Sequence, residues 1–306
     1  GVEGVTGAEG LDEVRLSDTN TATLGIFGVE LAFGGTGNDR IHGSNADLTS
    51  ILIDGGLGND SLLRGGGGAD TIFGGDGVDR LEGQDGNDLL EGGAGADSLL
   101  GGDGDDTLIG GGGADRMHGE NGDDFIIGGN GDVIFANAGD DFIELDGSVD
   151  PDLGRAFIDG NDGFDTVSLV GETNTASVQR IERVIGSAGV DELVLSDSDN
   201  VVAFDITEIS GVETIHAQKG DDVLTITTND TEAVFGGLGT DRVTLTDGAG
   251  NSLLLDGVEG VTGAEGLDEV MLSDTNAATL GLFGVEVALG GTGNDRIHSS
   301  NADLTS

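Results

Sequence analysis

The sequence contains no cysteine, tryptophan or tyrosine, and one proline and two methionines among 306 residues. Without cysteine, disulfide bonds and thiol catalysis are excluded. The four histidines, His42, His118, His216 and His298, do not form a recognisable serine-hydrolase or metallohydrolase constellation. Carboxylates recur in nearly every turn signal, so a catalytic pair of the glycosidase type cannot be singled out. We therefore predict that the chain is not an enzyme.

Basic residues are also scarce. The chain has 11 of them against 59 acidic residues, a formal net charge of -48, and Lys219 is its single lysine. Nucleic acids and anionic membranes are bound through basic patches, so neither is an expected partner. No apolar run approaches the roughly 18 residues that cross a bilayer, so membrane insertion is not expected either. A chain this acidic repels itself unless cations compensate its charge.

Glycine, in contrast, is abundant at 61 residues, and much of it recurs with a period of nine. Eight consecutive units, the first from Gly65 and the last from Gly128, read Gly-x-x-Gly-x-Asp-x-apolar-x or nearly so. The first and fourth positions are always glycine, and aspartate holds the sixth position except at Val133. The second position departs from glycine at Gln84 and Glu120. A flexible linker would not keep an apolar residue in phase.

Each unit predicts a glycine turn followed by a short strand. Glycines permit the positive φ angles and close backbone approach of tight turns, and one apolar residue between two variable ones indicates a strand with a single inward side chain. Turn carbonyls and carboxylates are the hard oxygen ligands that calcium prefers. The predicted inward side chains are those of Ile72, Leu81, Leu90, Leu99, Leu108, Met117 and Ile126.

The nonapeptide resembles the calcium-binding repeat of the RTX proteins over residues 55–144, and more loosely elsewhere. The resemblance implies a parallel β-roll in which two nonapeptides make one right-handed coil, with Ca²⁺ between turns eighteen residues apart. It also implies export from bacteria into calcium-rich surroundings, since RTX proteins typically leave the cell unfolded. The pairs that it implies are Asp70 with Asp88, Asp88 with Asp106 and Asp106 with Asp124 on one edge, and Asp79 with Asp97 and Asp97 with Asp115 on the other.

Two departures from the period are expected to bound the regular roll. Arg64 reads as an insertion before Gly65, and the unit from Gly128 is one residue short before the phase resumes at Asp141. Because Val133 carries no carboxylate, the calcium site between Asp115 and its neighbour is expected to be weak or empty.

Single copies of the turn signal add further candidate ligands outside the nonapeptides. They occur at seven places, among them residues 236–241 and 263–268, which are 27 residues apart (263 − 236). The full set of candidate calcium ligands is Asp12, Asp39, Asp60, Asp70, Asp79, Asp88, Asp97, Asp106, Asp115, Asp124, Asp141, Asp165, Asp191, Asp222, Asp241, Asp268 and Asp295.

These single turns lead into alternating strands, and we interpret them as larger β-solenoid coils with one calcium-type turn each. An ordinary antiparallel β domain with Asp-Gly turns is the alternative. A second strand signal in these coils ends in glutamate. Strand glutamates more often face water than bind metal, so we leave them out of the ligand set. They are Glu30, Glu182, Glu213, Glu259 and Glu286.

A much longer repeat is also present. Residues 1–50 and 257–306 align without gaps and differ at six positions, so 44 of 50 are identical (50 − 6) and the period is 256 residues (257 − 1). Such near-identity predicts tandem copies in a longer protein, which make an extended object. The chain starts with glycine and shows no signal peptide, so we expect a fragment or a processed product.

The sequence therefore predicts an all-β protein with four segments. Residues 1–54 are a β-solenoid segment, 55–144 the regular RTX β-roll, 145–256 a longer-coil β-solenoid, and 257–306 the start of the next repeat.

The two outer faces of the regular roll are predicted to differ. One sheet shows polar or charged side chains at Arg80, Glu82, Ser98, Arg116 and His118, with Leu100 as its apolar residue. The other sheet is apolar, and exposed apolar stripes usually mark contact surfaces, so we predict self-association through it. Coverage by residues 145–156 is the alternative. The apolar residues are Phe73, Leu89, Ile109, Phe125 and Ile127.

These observations predict a calcium-dependent extracellular structural repeat protein of a bacterial surface layer, sheath, filament or large adhesin. Calcium would drive both folding and assembly. At a free concentration of about 100 times the dissociation constant, each site adds about 2.7 kcal/mol to the folded state. The alternative is a calcium-folded secretion or spacer domain of an RTX toxin or secreted enzyme, which the near-identical 256-residue repeats fit poorly.

Overall fold

The chain is built of short β-strands joined by glycine-rich turns, and the computed structural model has no helix among the residues that it describes. The strands group into two compact units, residues 1–165 and 166–306. The all-β class predicted from the sequence is confirmed. The described residues are 4–7, 11–16, 21–44, 50–147, 153–171, 173–187, 190–195, 205–218, 222–227, 231–246, 252–263, 269–272, 279–283, 287–289 and 296–299.

The first unit contains seventeen strands among its described residues. They are β1 (Val5–Thr6), β2 (Glu13–Arg15), β3 (Thr23–Phe27), β4 (Leu31–Gly35), β5 (Arg40–His42), β6 (Leu52–Leu57), β7 (Leu62–Gly66), β8 (Thr71–Asp76), β9 (Arg80–Asp85), β10 (Leu89–Ala94), β11 (Ser98–Asp103), β12 (Thr107–Gly112), β13 (Arg116–Asn121), β14 (Phe125–Gly129), β15 (Val133–Ala138), β16 (Phe142–Asp146) and β17 (Ala156–Asp162).

Successive strands of this unit alternate between two parallel sheets. The odd-numbered strands pair in the order β1-β3-β5-β7-β9-β11-β13-β15-β17, and the even-numbered strands pair in the order β2-β4-β6-β8-β10-β12-β14-β16. In the regular part, partners lie eighteen residues apart, as Leu90 with Leu108 and Leu99 with Met117. Two nine-residue units therefore make one coil, and the predicted β-roll is confirmed.

The core of this unit is a single column of apolar side chains from each sheet. In the nonapeptide strands one central side chain points inward between the two sheets and its two neighbours face out. Strands β3 and β16 each bury a second apolar side chain, Ile26 and Leu145. All the predicted inward side chains have no solvent-exposed surface, and the columns continue through Ile53, Leu63, Ile134, Ile143 and Ile158.

The second unit has the same construction. Its described strands are β18 (Thr166–Val170), β19 (Thr173–Gln179), β20 (Arg183–Ile185), β21 (Val190–Leu195), β22 (Asp205–Ser210), β23 (Thr214–His216), β24 (Val223–Ile226), β25 (Ala233–Phe235), β26 (Arg242–Leu245), β27 (Ser252–Asp256), β28 (Gly260–Thr262), β29 (Glu269–Leu272), β30 (Thr279–Phe283), β31 (Val287–Leu289) and β32 (Arg296–Ser299). Even-numbered strands β18 to β32 form one parallel sheet, and odd-numbered strands β19 to β31 form another.

Parallel pairing in the second unit decides between the two interpretations of the longer coils. Each pair among its described strands is parallel, as in β19 with β21 and β24 with β26. The antiparallel alternative is therefore wrong, and the longer turns lengthen a coil without changing its direction. The predicted division into four segments stays a prediction.

The first departure from the nine-residue period does not bound the pairing, contrary to expectation. Arg64 is not an insertion, because it holds a regular position level with Glu82 of the next odd strand. The additional residue is Ser61, between Asp60 and Leu62, where the turn absorbs it before the strand begins. A solenoid tolerates an extra turn residue when the inward side chain of the strand keeps its register.

The second position of the nonapeptide has a positive φ in six of the eight units, whether or not glycine stands there. Gly75 and Gly93 have φ of 105° and 104°, and the two departures, Gln84 and Glu120, have 94° and 83°. A side chain with a Cβ is strained in this region. We expect Glu120→Gly to stabilise the calcium-loaded roll by about 1 kcal/mol, measured by urea unfolding at saturating calcium.

The matched control for this prediction is Glu91→Gly. Glu91 is an exposed glutamate within β10, where the backbone is extended, so the same deletion should lower the free energy of unfolding. Destabilisation by both substitutions would contradict the idea that φ at Glu120 is strained.

Candidate calcium sites

Two ladders of buried aspartates run along the two edges of the first unit. In each ladder the backbone N–H of one aspartate donates to Oδ1 of the aspartate in the next coil, at 2.7–3.0 Å. These side chains are 0–3% exposed. One ladder contains Asp39, Asp60, Asp79, Asp97, Asp115 and Asp132, and the other contains Asp70, Asp88, Asp106, Asp124, Asp141 and Asp165.

The aspartate pairs implied by the RTX resemblance are thus neighbours in the structure. The ladders also extend past both ends of the nonapeptide block, to Asp39 on one edge and Asp165 on the other. They end at apolar residues, since Ala22 and Ile51 donate to the first aspartate of each ladder but offer no carboxylate.

The second carboxylate oxygen of these aspartates is buried where a cation or a proton would compensate its charge. Oδ2 is buried and accepts no hydrogen bond in Asp39, Asp60, Asp79, Asp88, Asp97, Asp106, Asp124 and Asp141. Burying a carboxylate oxygen without a partner costs roughly several kcal/mol of folding free energy, unless a cation or a proton compensates its charge.

Main-chain carbonyl oxygens lie beside these carboxylate oxygens. A Cβ built on Gly92 would lie 2.6 Å from Oδ2 of Asp97 and 2.6 Å from the carbonyl oxygen of Gly110 in the next coil. The glycine is required because a side chain would occupy the space that these two oxygens share. Gly74 has the same surroundings, with Oδ2 of Asp79 at 2.8 Å from its built Cβ.

No three Asp, Glu or His side chains converge at one point in the described part of the chain. A site on these ladders would therefore combine at most two carboxylates with main-chain carbonyl oxygens. That donor set is all oxygen, which suits calcium and not the transition metals that select imidazole or thiolate.

The electrostatics of the metal-free ladders are unfavourable to ionised carboxylates. Burial raises the pKa of Asp106 to about 8, the hydrogen bond from the Asp88 N–H opposes this, and the charges of Asp88, Asp124 and Asp105 raise it further. Burial likewise raises the pKa of Asp97 to about 7. At neutral pH each ladder therefore holds protons or requires another positive charge.

The residue that the sequence reasoning missed in this unit is Asp132. The premise that this unit offers no carboxylate because of Val133 is wrong, since Oδ1 of Asp132 accepts the Asp115 N–H at 2.8 Å. The turn is one residue shorter, so Val133 moves into the strand, level with Arg116. The hint in the sequence is the shortened unit itself.

Asp132 nevertheless differs from the other ladder members. Its Oδ2 accepts a hydrogen bond from the Gly129 N–H of its own turn at 2.7 Å. The residue in the next coil at this level is Ala156, which follows because Val133 is level with Phe157. The weak or empty site here stays a prediction, and its physical reason is now that Oδ2 is already hydrogen-bonded and that the next coil has no carboxylate at this level.

Three of the glutamates that were left out of the ligand set also accept backbone hydrogen bonds from aspartates. Oε2 of Glu30, Glu213 and Glu259 accepts the backbone N–H of Asp12, Asp191 and Asp241, respectively, at 2.7–2.8 Å. Glutamate therefore takes the place of the ladder aspartate in the longer coils, and these three side chains are half-buried and not directed into water. Their recurrence directly before β4, β23 and β28 is the feature of the sequence that could have indicated this role.

The remaining candidate ligands are placed as follows. In the second unit the Asp222 N–H donates to Oδ1 of Asp241 at 3.0 Å, so these two form one step of a similar ladder. Oδ1 of Asp191 accepts the side-chain amide of Asn174 at 2.8 Å. Asp268 and Asp295 lie outside the described residues. The assignment of all these aspartates as calcium ligands stays a prediction.

The fold and its ladders define a parallel β-roll with aspartates stacked along both edges. A family model described as the RTX calcium-binding nonapeptide repeat matches the chain in four places, at residues 24–47, 64–99, 100–132 and 280–303. The chain thus carries RTX repeats, the repeats bind Ca²⁺, and such repeats occur in secreted proteins. A search of curated proteins finds no match.

Proposed function

We propose that this chain is a calcium-folded structural repeat of an extracellular protein, such as a bacterial surface layer, sheath, filament or large adhesin. The observation that carries the proposal is the pair of aspartate ladders, in which eight members have a buried Oδ2 atom without a hydrogen-bond partner, where a cation would compensate its charge. The residues fit calcium, and Asp79, Asp97, Asp88 and Asp106 would hold it together with the turn carbonyls.

Bound calcium would supply positive charge between carboxylates of successive coils. The chain's own residues bring the coils into register: the turn glycines let the coils approach, and the inward apolar column aligns them. With a net charge of -48 the metal-free chain is under strong self-repulsion. Folding and calcium binding are therefore a single coupled event in this proposal.

The long internal repeat of the chain supports a structural role. Residues 1–50 recur almost unchanged at 257–306, and the family match at 24–47 recurs at 280–303. Tandem near-identical β-solenoid repeats suit an extended object that contacts many partners at once. Within the described residues there is also no helix of the length and apolarity needed to cross a bilayer. We propose the cell surface as its location and no catalytic role.

The test is calcium titration of the chain followed by far-UV circular dichroism, with chelator reversal. We expect β-structure to appear on adding calcium and to vanish in excess chelator. Asp97→Asn should raise the calcium concentration at half-folding by about tenfold, because one charged ligand is lost. Asp76→Asn removes the same charge from the exposed end of β8 and should leave the midpoint nearly unchanged. Full β-structure in chelator at neutral pH would refute the proposal.

Negative-stain imaging separates the structural role from the secretion or spacer alternative. Ordered filaments or sheets that disappear on chelation would support the structural polymer. Separate rods in calcium, with no assembly at high concentration, would support the alternative.

A further inference from the structure

The two outer faces of the first unit differ in charge. We call the outer surface of the odd strands the arginine face, since it carries Arg40, Arg64, Arg80 and Arg116. We call the outer surface of the even-numbered strands from β6 to β16 the acidic face, since it carries Asp54, Glu91 and Glu144.

At the two outward positions beside the inward side chain, the odd strands from β5 to β17 carry these four arginines against two carboxylates, Glu82 and Asp159. The exposed Asp85, Asp103 and Glu120 lie farther along, at or near the strand ends. Glu82 is 3% exposed at its side chain and pairs with both Arg64 and Arg80, the latter at 2.6 Å. Arg116 lies over the Phe135 ring, 4.9 Å from its centroid, and pairs with no carboxylate in the described residues. In a chain that has 11 basic residues in all, four arginines on one face are a marked concentration.

The acidic face is the complement of this surface. From β6 to β16 its outward residues include Asp54, Glu91 and Glu144 and no basic residue. Apolar side chains lie between the carboxylates, half-buried at Phe73 and Ile109. The predicted apolar contact stripe is therefore interrupted by negative charge at every second or third strand.

Aromatic residues extend the arginine face, so it is less polar than the sequence indicated. Beyond His118 the same column continues into Phe135, and beyond Arg116 the neighbouring column continues into Val133 and Phe157. The His118 ring stacks on Phe135 at 4.9 Å between centroids, and Phe135 contacts Phe157 at 5.9 Å. Both faces thus combine apolar surface with charge, of opposite sign.

The spacing of the charges also agrees. Arg40, Arg80 and Arg116 lie on β5, β9 and β13, so each is two strands from the next, or about 10 Å at about 4.8 Å per strand. Asp54 and Glu91 lie on β6 and β10, again two strands apart. A parallel alignment of the two faces can therefore place Arg40 and Arg80 opposite Asp54 and Glu91.

We propose that the arginine face of one copy of this chain docks on the acidic face of a second copy. This inference deepens the proposed structural role and rests on it. Acidic face against acidic face would bring like charges together, which costs binding free energy. A contact between two different faces does not close on itself, so it propagates through further copies into layers or fibres.

The contact between one arginine face and one acidic face is weak. Six strands at about 4.8 Å and two outward columns give an area on the order of 400 Å² per copy, below the ~800 Å² of a stable complex. Tandem copies would add such contacts together, so avidity and not one interface would hold the assembly.

Site-specific cross-linking tests the proposal, because the chain has no cysteine of its own. Ser98→Cys places one thiol in the middle of the arginine face, and Thr107→Cys places one in the middle of the acidic face. The two variants, one with a size tag, are mixed in calcium and treated with a short bis-maleimide. We expect the mixed product to exceed either same-variant product by about fivefold.

Charge reversal provides the specificity control. Glu91→Arg in the Thr107→Cys chain should reduce the mixed product, and Arg116→Glu in the Ser98→Cys chain should restore it. Ala96→Cys, in an exposed turn at the edge of the roll, gives the background from random collisions.

Two results would overturn the proposal. A predominance of Thr107→Cys product with itself would show a contact between like faces. No product above the Ala96→Cys background would show that the faces do not meet. Neither result affects the calcium-dependent circular dichroism of the same variants, so failure here is distinguishable from failure of the proposed function.

Discussion

Replacing Gly95 by alanine is expected to prevent the roll from folding at calcium concentrations that fold the parent chain. Gly95 has φ of 146° and lies in the turn before Asp97. A Cβ built there overlaps the carbonyl oxygen of Gly77 in the preceding coil and lies 3.4 Å from Oδ1 of Asp97. Because the obstacle is backbone, it cannot rotate away. The two coils must separate, and the aspartate ladder is broken at that step.

We expect Gly95→Ala to cost more than about 3 kcal/mol of unfolding free energy, measured by urea unfolding at saturating calcium. Gly154→Ala is the control, since Gly154 also has a positive φ, 91°, but nothing lies within 4 Å of its built Cβ. That substitution should cost about 1 kcal/mol from backbone strain alone. Equal losses in the two variants would show that stacking of the coils does not decide the effect.

Much of this fold could be predicted because one nine-residue unit encodes three things at once. The glycines fix the turn, the apolar eighth position fixes the inward face, and the aspartate fixes the edge. Leu90 and Leu99 show the result, each fully buried and level with its counterparts in the adjoining coils. Once two units make a coil, the register follows from the period.

The exceptions could not be predicted, because alignment of letters does not show where a turn absorbs a change in length. Ile134 must point inward, so the shortened unit keeps its strand and moves its carboxylate to Asp132. In the longer coils, the sequence predicts that Glu30 ends a strand, whereas Glu30 lies just before β4, and the sequence does not show that its side chain bends towards the previous coil. The glutamate has one more methylene than aspartate, and with it reaches the Asp12 N–H.

The metal-free roll is expected to gain stability as the pH falls. Burial, opposed by a backbone hydrogen bond and reinforced by neighbouring carboxylates, raises the pKa of Asp88 and Asp124 to about 7 and that of Asp60 to about 6. In the unfolded chain these carboxyls titrate near 3.8. Between these values the folded state binds protons that the unfolded state does not bind. Lower pH therefore favours folding through this window.

In excess chelator, circular dichroism should show little β-structure at about pH 8.5 and more at about pH 5, with no further gain below about pH 4, where the unfolded chain also protonates. Each unit of pKa shift corresponds to about 1.4 kcal/mol. Even part of these shifts, added over several side chains, is comparable with the roughly 5–15 kcal/mol that stabilises a domain. In saturating calcium the direction should reverse, because protons compete with calcium for the same oxygens.

Asp106→Asn separates the role of charge from that of shape in this pH dependence. Asparagine keeps an oxygen that can accept the Asp88 N–H, which now binds Oδ1 at 2.8 Å. Its amide nitrogen would replace Oδ2 beside Gly101, next to the carbonyl oxygen of Gly119, to which it can donate. We therefore expect the variant to be more stable than the parent in chelator at pH 8, less dependent on pH, and weaker in calcium binding. If the variant were instead less stable in chelator at pH 8, charge would not be what destabilises the metal-free ladder, and the calcium requirement would have to come from the turn geometry.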